Sequence, residues 1–112
     1  MITMHRLIIE AWQCKRHGLK ECSDFITEVI NTLKTHEIGR LQFNITNKIP
    51  GAKPGITINV VFLESHLALH TWPEENSFVD LEISSCKEFP VEKLHKGFQL
   101  FFNPSRILVK EI

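Results

Sequence analysis

Two side chains that could act as a nucleophile and as its base lie close together near the middle of the chain. Ser65 directly follows Glu64, and His70 comes five residues after the serine. A serine hydroxyl is a weak nucleophile until a base assists it, and histidine is the usual base because it titrates near neutrality. With that help, the hydroxyl can attack the preceding carbonyl, break the backbone by elimination and leave a pyruvoyl group. Taken alone, however, Ser65 is better interpreted as a serine that satisfies a turn at the end of a strand.

The surrounding sequence ESHLALHTWPE, residues 64–74, resembles the self-cleavage site of the bacterial S-adenosylmethionine decarboxylases. The resemblance implies that the bond between Glu64 and Ser65 is cleaved, which would give a β chain of residues 1–64 and an α chain of residues 65–112. It also implies that the cofactor is a pyruvoyl group derived from the serine. The pyruvoyl ketone forms a Schiff base with the substrate amine and accepts the electrons released as carbon dioxide leaves.

The same resemblance implies roles for residues on either side of the cleavage site. His70 assists processing and later catalysis, and Thr57 stands eight residues before Ser65, where the family has a serine. The family's proton donor is a cysteine about twenty residues after the processed serine. In this chain Ser85 lies at twenty residues and Cys86 at twenty-one. We predict that Cys86 is the donor, although a small buried hydrophobic residue is its ordinary structural role.

Two acidic residues are implied to bind the substrate. Glu74 matches the family's glutamate that binds the ribose, and a carboxylate can accept both hydrogen bonds of a diol. Glu10 lies in HRLIIEAWQC, which resembles the family's first strand. An acid among apolar neighbours is costly unless it is paired, and a sulfonium would be a suitable partner. The plainer alternatives are a solvated turn residue for Glu74 and an edge position facing water for Glu10.

The loop Ile49–Gly55 departs from the family pattern because it contains no aromatic ring to stack on adenine. Base–aromatic stacking is worth about 1–3 kcal/mol, so substrate binding could be weakened or changed. Trp12 is a candidate replacement. Three hypotheses therefore stay open: an S-adenosylmethionine decarboxylase for spermidine biosynthesis, a pyruvoyl enzyme for a smaller amino acid such as ornithine or arginine, or an unprocessed non-catalytic partner protein.

The histidines and cysteines do not indicate a metal site. On a strand, His66 and His70 would lie roughly 13 Å apart, too far for one ion. The three cysteines, Cys14, Cys22 and Cys86, have no CxxC spacing and form a poor disulfide framework or zinc site. A reducing compartment, and hence the cytoplasm, is expected.

Composition excludes several partner classes. The chain has 112 residues with 13 basic and 13 acidic side chains, and its formal net charge is zero. Nucleic-acid binders usually carry a basic face, so none is expected. No apolar run reaches the roughly 18 residues of a membrane span, so we expect no membrane partner.

The chemistry-bearing residues are expected to lie on one α+β domain of residues 1–112. Ser23 is predicted to cap a first helix ending near Thr35. Pro90 is predicted to open a second helix, which ends at Asn103-Pro104. The expected order is β-α-β-β-β-α-β, a two-layer sandwich with an antiparallel sheet and both helices on one sheet face. The other sheet face would then need a cover, which a homodimer could provide.

Overall fold

A computed structural model describes residues 2–33, 41–45, 54–62 and 65–112, with side chains described outside 41–45. In chain order the elements are β1 (His5–Trp12), α1 (Leu19–Leu33), β2 (Leu41–Ile45), β3 (Ile56–Phe62), β4 (Ser65–Trp72), β5 (Phe78–Ser85), α2 (Val91–Phe102) and β6 (Arg106–Glu111). The strands form one sheet in the order β2-β3-β4-β5-β1-β6, and every neighbouring pair is antiparallel.

The predicted α+β sandwich is confirmed, but the predicted element order was wrong by one strand. Four strands, β2 to β5, lie between the two helices where three were expected. Each of these four strands pairs along its length with a neighbouring strand of the sheet, so they are four separate strands.

The predicted start of α1 was also wrong. The helix begins at Leu19, and Ser23 lies inside it, where its hydroxyl donates to the Leu19 carbonyl at 2.7 Å. Gly18 supplies the carbonyl that accepts from the Cys22 amide at 3.1 Å, so the first turn is closed before Ser23 is reached. The predicted end of this helix near Thr35 and the loop before Pro54 lie outside the described residues.

The second helix has the predicted ends. Pro90 is its N-cap, and Asn103 is its C-cap in the left-handed region with φ 43°. The Asn103 amide donates to the Gln99 carbonyl at 2.9 Å. Pro suits this position because it brings no amide hydrogen that would need a partner.

The hydrophobic core lies between the helices and one face of the sheet. The buried residues of α1 are Cys22, Phe25, Ile26, Val29, Ile30 and Leu33, and those of α2 are Leu94, Phe98 and Phe102. They pack in one cluster with alternate residues of the strands, such as Leu7, Ile9, Leu69 and Leu81. Because successive side chains of a strand point to opposite faces, the residues between these face away from the helices.

We call this second surface the open face. Its central residues are Thr57 on β3, His70 on β4, Asp80 on β5 and Glu10 on β1, which are successive partners across the sheet. All four are half-buried rather than buried, and neither described helix covers them. In the described part of the chain, no helix is long and apolar enough to cross a membrane.

Candidate active site

Ser65 is the first residue of β4, at the end of the hairpin that joins β3 to β4. It is only 8% exposed and pairs with Phe62 on one side and with Ser85 on the other. It shares its strand face with Leu67 and Leu69, which are buried under the helices. The other side of the expected cleavage site, Glu64, lies outside the described residues.

Thr57 and His70 form a hydrogen-bonded pair on the open face. They are directly opposite each other in the β3–β4 ladder, and Thr57 Oγ1 lies 3.1 Å from His70 Nδ1. The hydroxyl can donate to an unprotonated Nδ1 or accept from a protonated one, so which atom donates depends on the tautomer. In either case the contact holds the ring by Nδ1 and leaves Nε2 available for proton transfer.

Within one chain the structure does not bring Ser65 and His70 together. Both belong to the continuous strand β4. Five residues of strand span roughly 16 Å. Five is an odd number, so the serine faces the helices while the histidine faces the open side. An imidazole that assists the serine therefore cannot come from the same copy in this arrangement.

The two candidate proton donors lie at the end of β5. Ser85 is the direct cross-strand partner of Ser65 and is 3% exposed. Its hydroxyl oxygen accepts from the Lys87 amide at 3.2 Å, which stabilises the bend that follows the strand. Cys86 is the first residue of that bend and is half-buried. The register thus places the hydroxyl directly opposite Ser65 and the thiol one residue further along.

The acidic residues of the open face include one that sequence reasoning missed. Asp80 lies directly between His70 and Glu10 in the ladder. Burial, with the nearby carboxylates of Glu82 and Glu10, raises the pKa of Asp80 to about 6. Glu10 is itself 3.6 Å from Lys110 Nζ, so part of its charge is balanced. The period-two pattern of β5 indicated that Asp80 points outward, but not which residue it faces.

Glu74 lies far from Ser65 in the same chain. It is an exposed residue of the turn between β4 and β5, nine residues after the serine. The intervening strand spans roughly 26 Å or more. Glu74 and His70 therefore lie toward one end of β4, while Ser65, Ser85 and Cys86 lie at the other.

Three aromatic rings continue the open face beyond His70. Trp72 and Phe78 are cross-strand partners with ring centroids 5.3 Å apart, and Phe78 is also 5.3 Å from Trp12. The Trp72 ring lies 5.5 Å from the His70 ring. Of these rings the sequence singled out only Trp12, because the pairing of Phe78 depends on the length of the β4–β5 turn. Among the described residues, no group of three or more His, Cys, Asp or Glu side chains could hold a metal ion.

Comparison with curated proteins finds decarboxylase proenzymes from archaea. The S-adenosylmethionine decarboxylase proenzyme of Archaeoglobus fulgidus is 29% identical over 106 residues, which cover 90% of this chain and 85% of that protein. Its counterpart from Methanococcus vannielii is 25% identical over 107 residues, covering 95% and 84%. The arginine decarboxylase proenzyme of Aeropyrum pernix is 52% identical over only 40 residues, which are 36% of this chain and 30% of that protein.

The fold and the whole-chain pattern agree with these matches. The crystal structure of the adenosylmethionine decarboxylase from Aquifex aeolicus has a TM-score of 0.78 at 15% identity and covers 99% of this chain and 89% of its own. A sequence model described as S-adenosylmethionine decarboxylase matches residues 5–112. Since that match runs from the first strand to the end of the chain, this chain belongs to the S-adenosylmethionine decarboxylase family of pyruvoyl-dependent carboxy-lyases.

Proposed function

We propose that this protein cleaves its own backbone between Glu64 and Ser65 and then decarboxylates S-adenosylmethionine. The observation that carries the proposal is the Thr57–His70 pair, whose Oγ1 and Nδ1 atoms lie 3.1 Å apart. An imidazole held by one ring nitrogen can take up and return a proton at the other. Ser65 supports the proposal from its position, because it begins β4 and is 8% exposed, so little water competes for its hydroxyl.

The proposed cleavage uses only groups of this chain and water. Ser65 Oγ bonds to the Glu64 carbonyl carbon as the peptide C–N bond breaks, and the freed amino group takes the hydroxyl proton. Elimination then removes the α-proton of Ser65, breaks its Cβ–Oγ bond and releases Glu64 as a carboxylate. The remaining dehydroalanine takes up water and loses ammonia, which leaves the pyruvoyl group. We assign to His70 of the partner subunit the transient holding of the transferred protons.

The later chemistry is assigned to residues at both ends of β4. The pyruvoyl group derived from Ser65 supplies an electron sink for the pair of electrons released with carbon dioxide. Cys86 is proposed to return a proton to the carbon that lost carbon dioxide, because a thiol gives up a proton more readily than an alcohol. Ser85 is the alternative donor. Glu10 is proposed to face the sulfonium and Glu74 the ribose.

We infer that two copies pack through their open faces and share these sites. Within one chain, Ser65 and His70 lie on opposite sheet faces and roughly 16 Å apart. In such a homodimer the partner's His70 would have to reach the Ser65 of the first copy around the end of the sheet, where β4 begins, because the serine itself faces the helices. The open face also exposes apolar side chains that such a dimer would bury, including Val61 at 55% and Leu108 at 41% exposure. The cytoplasm stays the expected compartment.

Intact-mass spectrometry of the purified protein tests self-cleavage. The wild-type chain is expected to give two species that correspond to residues 1–64 and 65–112, the second blocked by a pyruvoyl group. Ser65→Ala is expected to remain one species of 13.0 kDa. A wild-type chain that stays intact under all expression conditions would contradict the proposal and favour a non-catalytic partner protein.

Co-expression of two uncleavable variants tests the shared site. Ser65→Ala keeps the imidazole, and His70→Ala keeps the nucleophile, so a mixed dimer holds one complete pair only if the groups meet between copies. We expect the His70→Ala chain, marked by a mass tag, to be cleaved when both are present and to stay intact alone. Cleavage of the His70→Ala chain expressed on its own would contradict the proposed role of His70. Absence of cleavage when both variants are co-expressed would contradict the shared site.

A second candidate substrate is arginine. The observation that favours it is the 52% identity over 40 residues with the Aeropyrum pernix arginine decarboxylase proenzyme. Release of labelled carbon dioxide from S-adenosylmethionine, arginine and ornithine by the cleaved protein separates the candidates. Turnover of arginine with none of S-adenosylmethionine would replace the first substrate with the second and leave the self-cleavage proposal standing.

A further inference from the structure

A cavity of about 290 Å³ lies on the helix side of the sheet, near the end where β4 and β5 are joined, and we call it the helix-side cavity. Its sheet wall includes Ile56, Thr71 and Val79, and Phe102 contributes to it from α2. Thr71 lies two residues beyond the buried Leu69 on β4, so it faces the helices and not the open face. The cavity is therefore separate from the candidate active site, on the opposite face of the same strand.

One side of the helix-side cavity carries three consecutive basic residues. Lys15, Arg16 and His17 lie in the segment between β1 and α1, and all three line the cavity. Among the described residues of the lining, none carries a carboxylate. The rest of the lining is mainly apolar and includes Leu19 and Pro54. Ligand sites commonly combine apolar walls with a few polar groups that fix orientation, and here those groups favour a negative charge.

Two of the basic side chains are held in place by backbone carbonyls. Arg16 Nη2 donates to the Pro73 carbonyl at 2.9 Å. His17 Nε2 lies 2.7 Å from the Phe101 carbonyl oxygen, and the two rings stack with their centroids 3.8 Å apart. A carbonyl only accepts, so Nε2 carries a hydrogen and Nδ1 is the ring nitrogen that this contact leaves available. Groups that are fixed before binding lose little side-chain entropy when a ligand arrives.

Thr71 adds a hydroxyl donor to the sheet wall of the cavity. Its Oγ1 accepts from the Ile56 amide at 3.0 Å, so that contact does not use the hydroxyl hydrogen. The Ser77 hydroxyl, by contrast, donates to the Cys14 carbonyl at 2.7 Å. Of these two hydroxyls that line the cavity, Thr71 is therefore the one that can donate to a ligand.

We propose that the helix-side cavity binds a small organic carboxylate. The apolar body of the ligand lies against Ile56 and Val79, and its carboxylate faces Lys15, Arg16 and His17. Hydrogen bonds between charged groups are about twice as strong as neutral ones, so the carboxylate sets the orientation. A cationic ligand would meet like charges on this side of the cavity. The site goes beyond the proposed function, because none of these residues belongs to the candidate active site.

Three planar ligands of nearly the same shape test the proposal: benzoate, neutral benzamide and cationic benzamidine. Titration of ¹⁵N-labelled wild-type protein, followed by amide chemical shifts, gives the affinity of each ligand and the place where it binds. We expect benzoate to bind at least about tenfold more tightly than benzamide, with large shifts at Gly18 and Ser77 of the lining. Equal affinities for benzoate and benzamide, tighter binding of benzamidine, or no shift with any of the three would overturn the proposal.

Matched substitutions separate the charge of the cavity from the charge of the whole protein. Arg16→Gln and Lys15→Gln should each weaken benzoate about three- to tenfold, since both side chains are exposed and partly screened, and should leave benzamide unchanged. Arg106→Gln is the matched control, because Arg106 is also exposed but lies over the Trp12 ring. Equal weakening by Arg16→Gln and Arg106→Gln would overturn the assignment.

Two further measurements test the apolar part of the site. Leu19→Phe enlarges a lining side chain, so it should weaken benzoate and benzamide alike. Inorganic phosphate carries charge but no apolar body and should bind more weakly than benzoate. Phosphate binding as tight as that of benzoate, or no effect of Leu19→Phe on either ligand, would overturn the proposal. The titrations use the protein whether or not it is cleaved, so a failure of self-cleavage leaves their result standing.

Discussion

Thr57 and His70 face each other across β3 and β4, with 3.1 Å between the hydroxyl oxygen and Nδ1. The contact is positioned by the ladder itself, because the two residues are direct partners in an antiparallel pair. The β-branched threonine is restricted at χ1, so it can present its hydroxyl with little loss of side-chain entropy. The imidazole orientation therefore depends on a residue that lies eight positions before the serine in sequence and one strand away in space.

Replacing Thr57 by valine should slow self-cleavage. Valine keeps the shape of threonine and removes the hydroxyl, so the ring loses one partner worth about 0.5–1.5 kcal/mol. We expect cleavage about two- to tenfold slower, followed by gel densitometry after a pulse of expression. Thr57→Ser keeps the hydroxyl and should cleave near the wild-type rate. Equal rates for the valine and wild-type chains would show that the contact does not assist the reaction.

Asp80→Asn should change how stability depends on pH. Burial and the carboxylates of Glu82 and Glu10 raise the pKa of Asp80 from 3.8 to about 6 in the folded protein. The protonated form is therefore favoured by folding, and its stabilising contribution is full below about pH 4 and is lost as the pH rises through about 6. The free energy of unfolding of Asp80→Asn should therefore rise relative to that of the wild type between pH 4 and pH 7. Urea unfolding at each pH measures this difference.

Glu82→Gln gives a check on the cause of that shift. Removing one neighbouring carboxylate should lower the pKa of Asp80 toward its ordinary value and move the loss of stability to lower pH. Glu88→Gln is the control, because Glu88 is exposed beyond the end of β5. A wild-type stability that has the same pH dependence as the asparagine variant would contradict the assignment.

Two leucines of α2 should respond very differently to the same substitution. Leu94 is 4% exposed and belongs to the core, whereas Leu100 is 86% exposed. Leu94→Ala should reduce the free energy of unfolding by about 2–5 kcal/mol, because it removes buried methyl groups and leaves a cavity. Leu100→Ala should change it by no more than about 0.5 kcal/mol. Urea unfolding at one protein concentration measures both, and similar losses would show that α2 does not pack as described.

The thiols of Cys14 and Cys22 should be protected from alkylation in the native protein. Burial raises the pKa of each to about 11, with a further contribution from Glu21 at Cys22. The thiolate is the reactive form, so at pH 8 both should react with iodoacetamide about a hundredfold more slowly than in urea. Peptide mass spectrometry gives the rate at each cysteine. Rapid reaction of either residue in the folded protein would contradict the burial on which the prediction rests.

Local patterns predicted which faces of the elements are buried, but not where α1 begins. In α1, Phe25, Ile26 and Val29 recur at helical spacing, which is typical of one buried face, and all three are buried. Ser23 misled the prediction of its start because a serine hydroxyl can cap a helix or bond to a carbonyl one turn back, and here it does the latter. A single side chain of this kind does not distinguish the two positions.

The family motif predicted which residues belong to the candidate site, but it did not predict the contacts that depend on strand register. The motif led to the expectation that His70 assists Ser65, whereas the observed strand β4 contains both residues five positions apart, so their side chains face opposite ways. The pairing of His70 with Asp80, and of Trp72 with Phe78, depends on the turn between β4 and β5. In that turn Asn76 and Ser77 both adopt positive φ, at 55° and 46°. Neither residue type requires that conformation, so the register could not be read from the sequence.

The strand order has a consequence for a nicked molecule. A cut just before Ser65 would assign β1, β2 and β3 to one fragment and β4, β5 and β6 to the other. In the sheet these strands interleave: β4 lies against β3, and β1 is inserted between β5 and β6. The two fragments would hold each other by main-chain hydrogen bonds along three separate seams, so severing the covalent link need not release either piece. Maturation by scission is thus compatible with a lasting, intertwined pair of polypeptides.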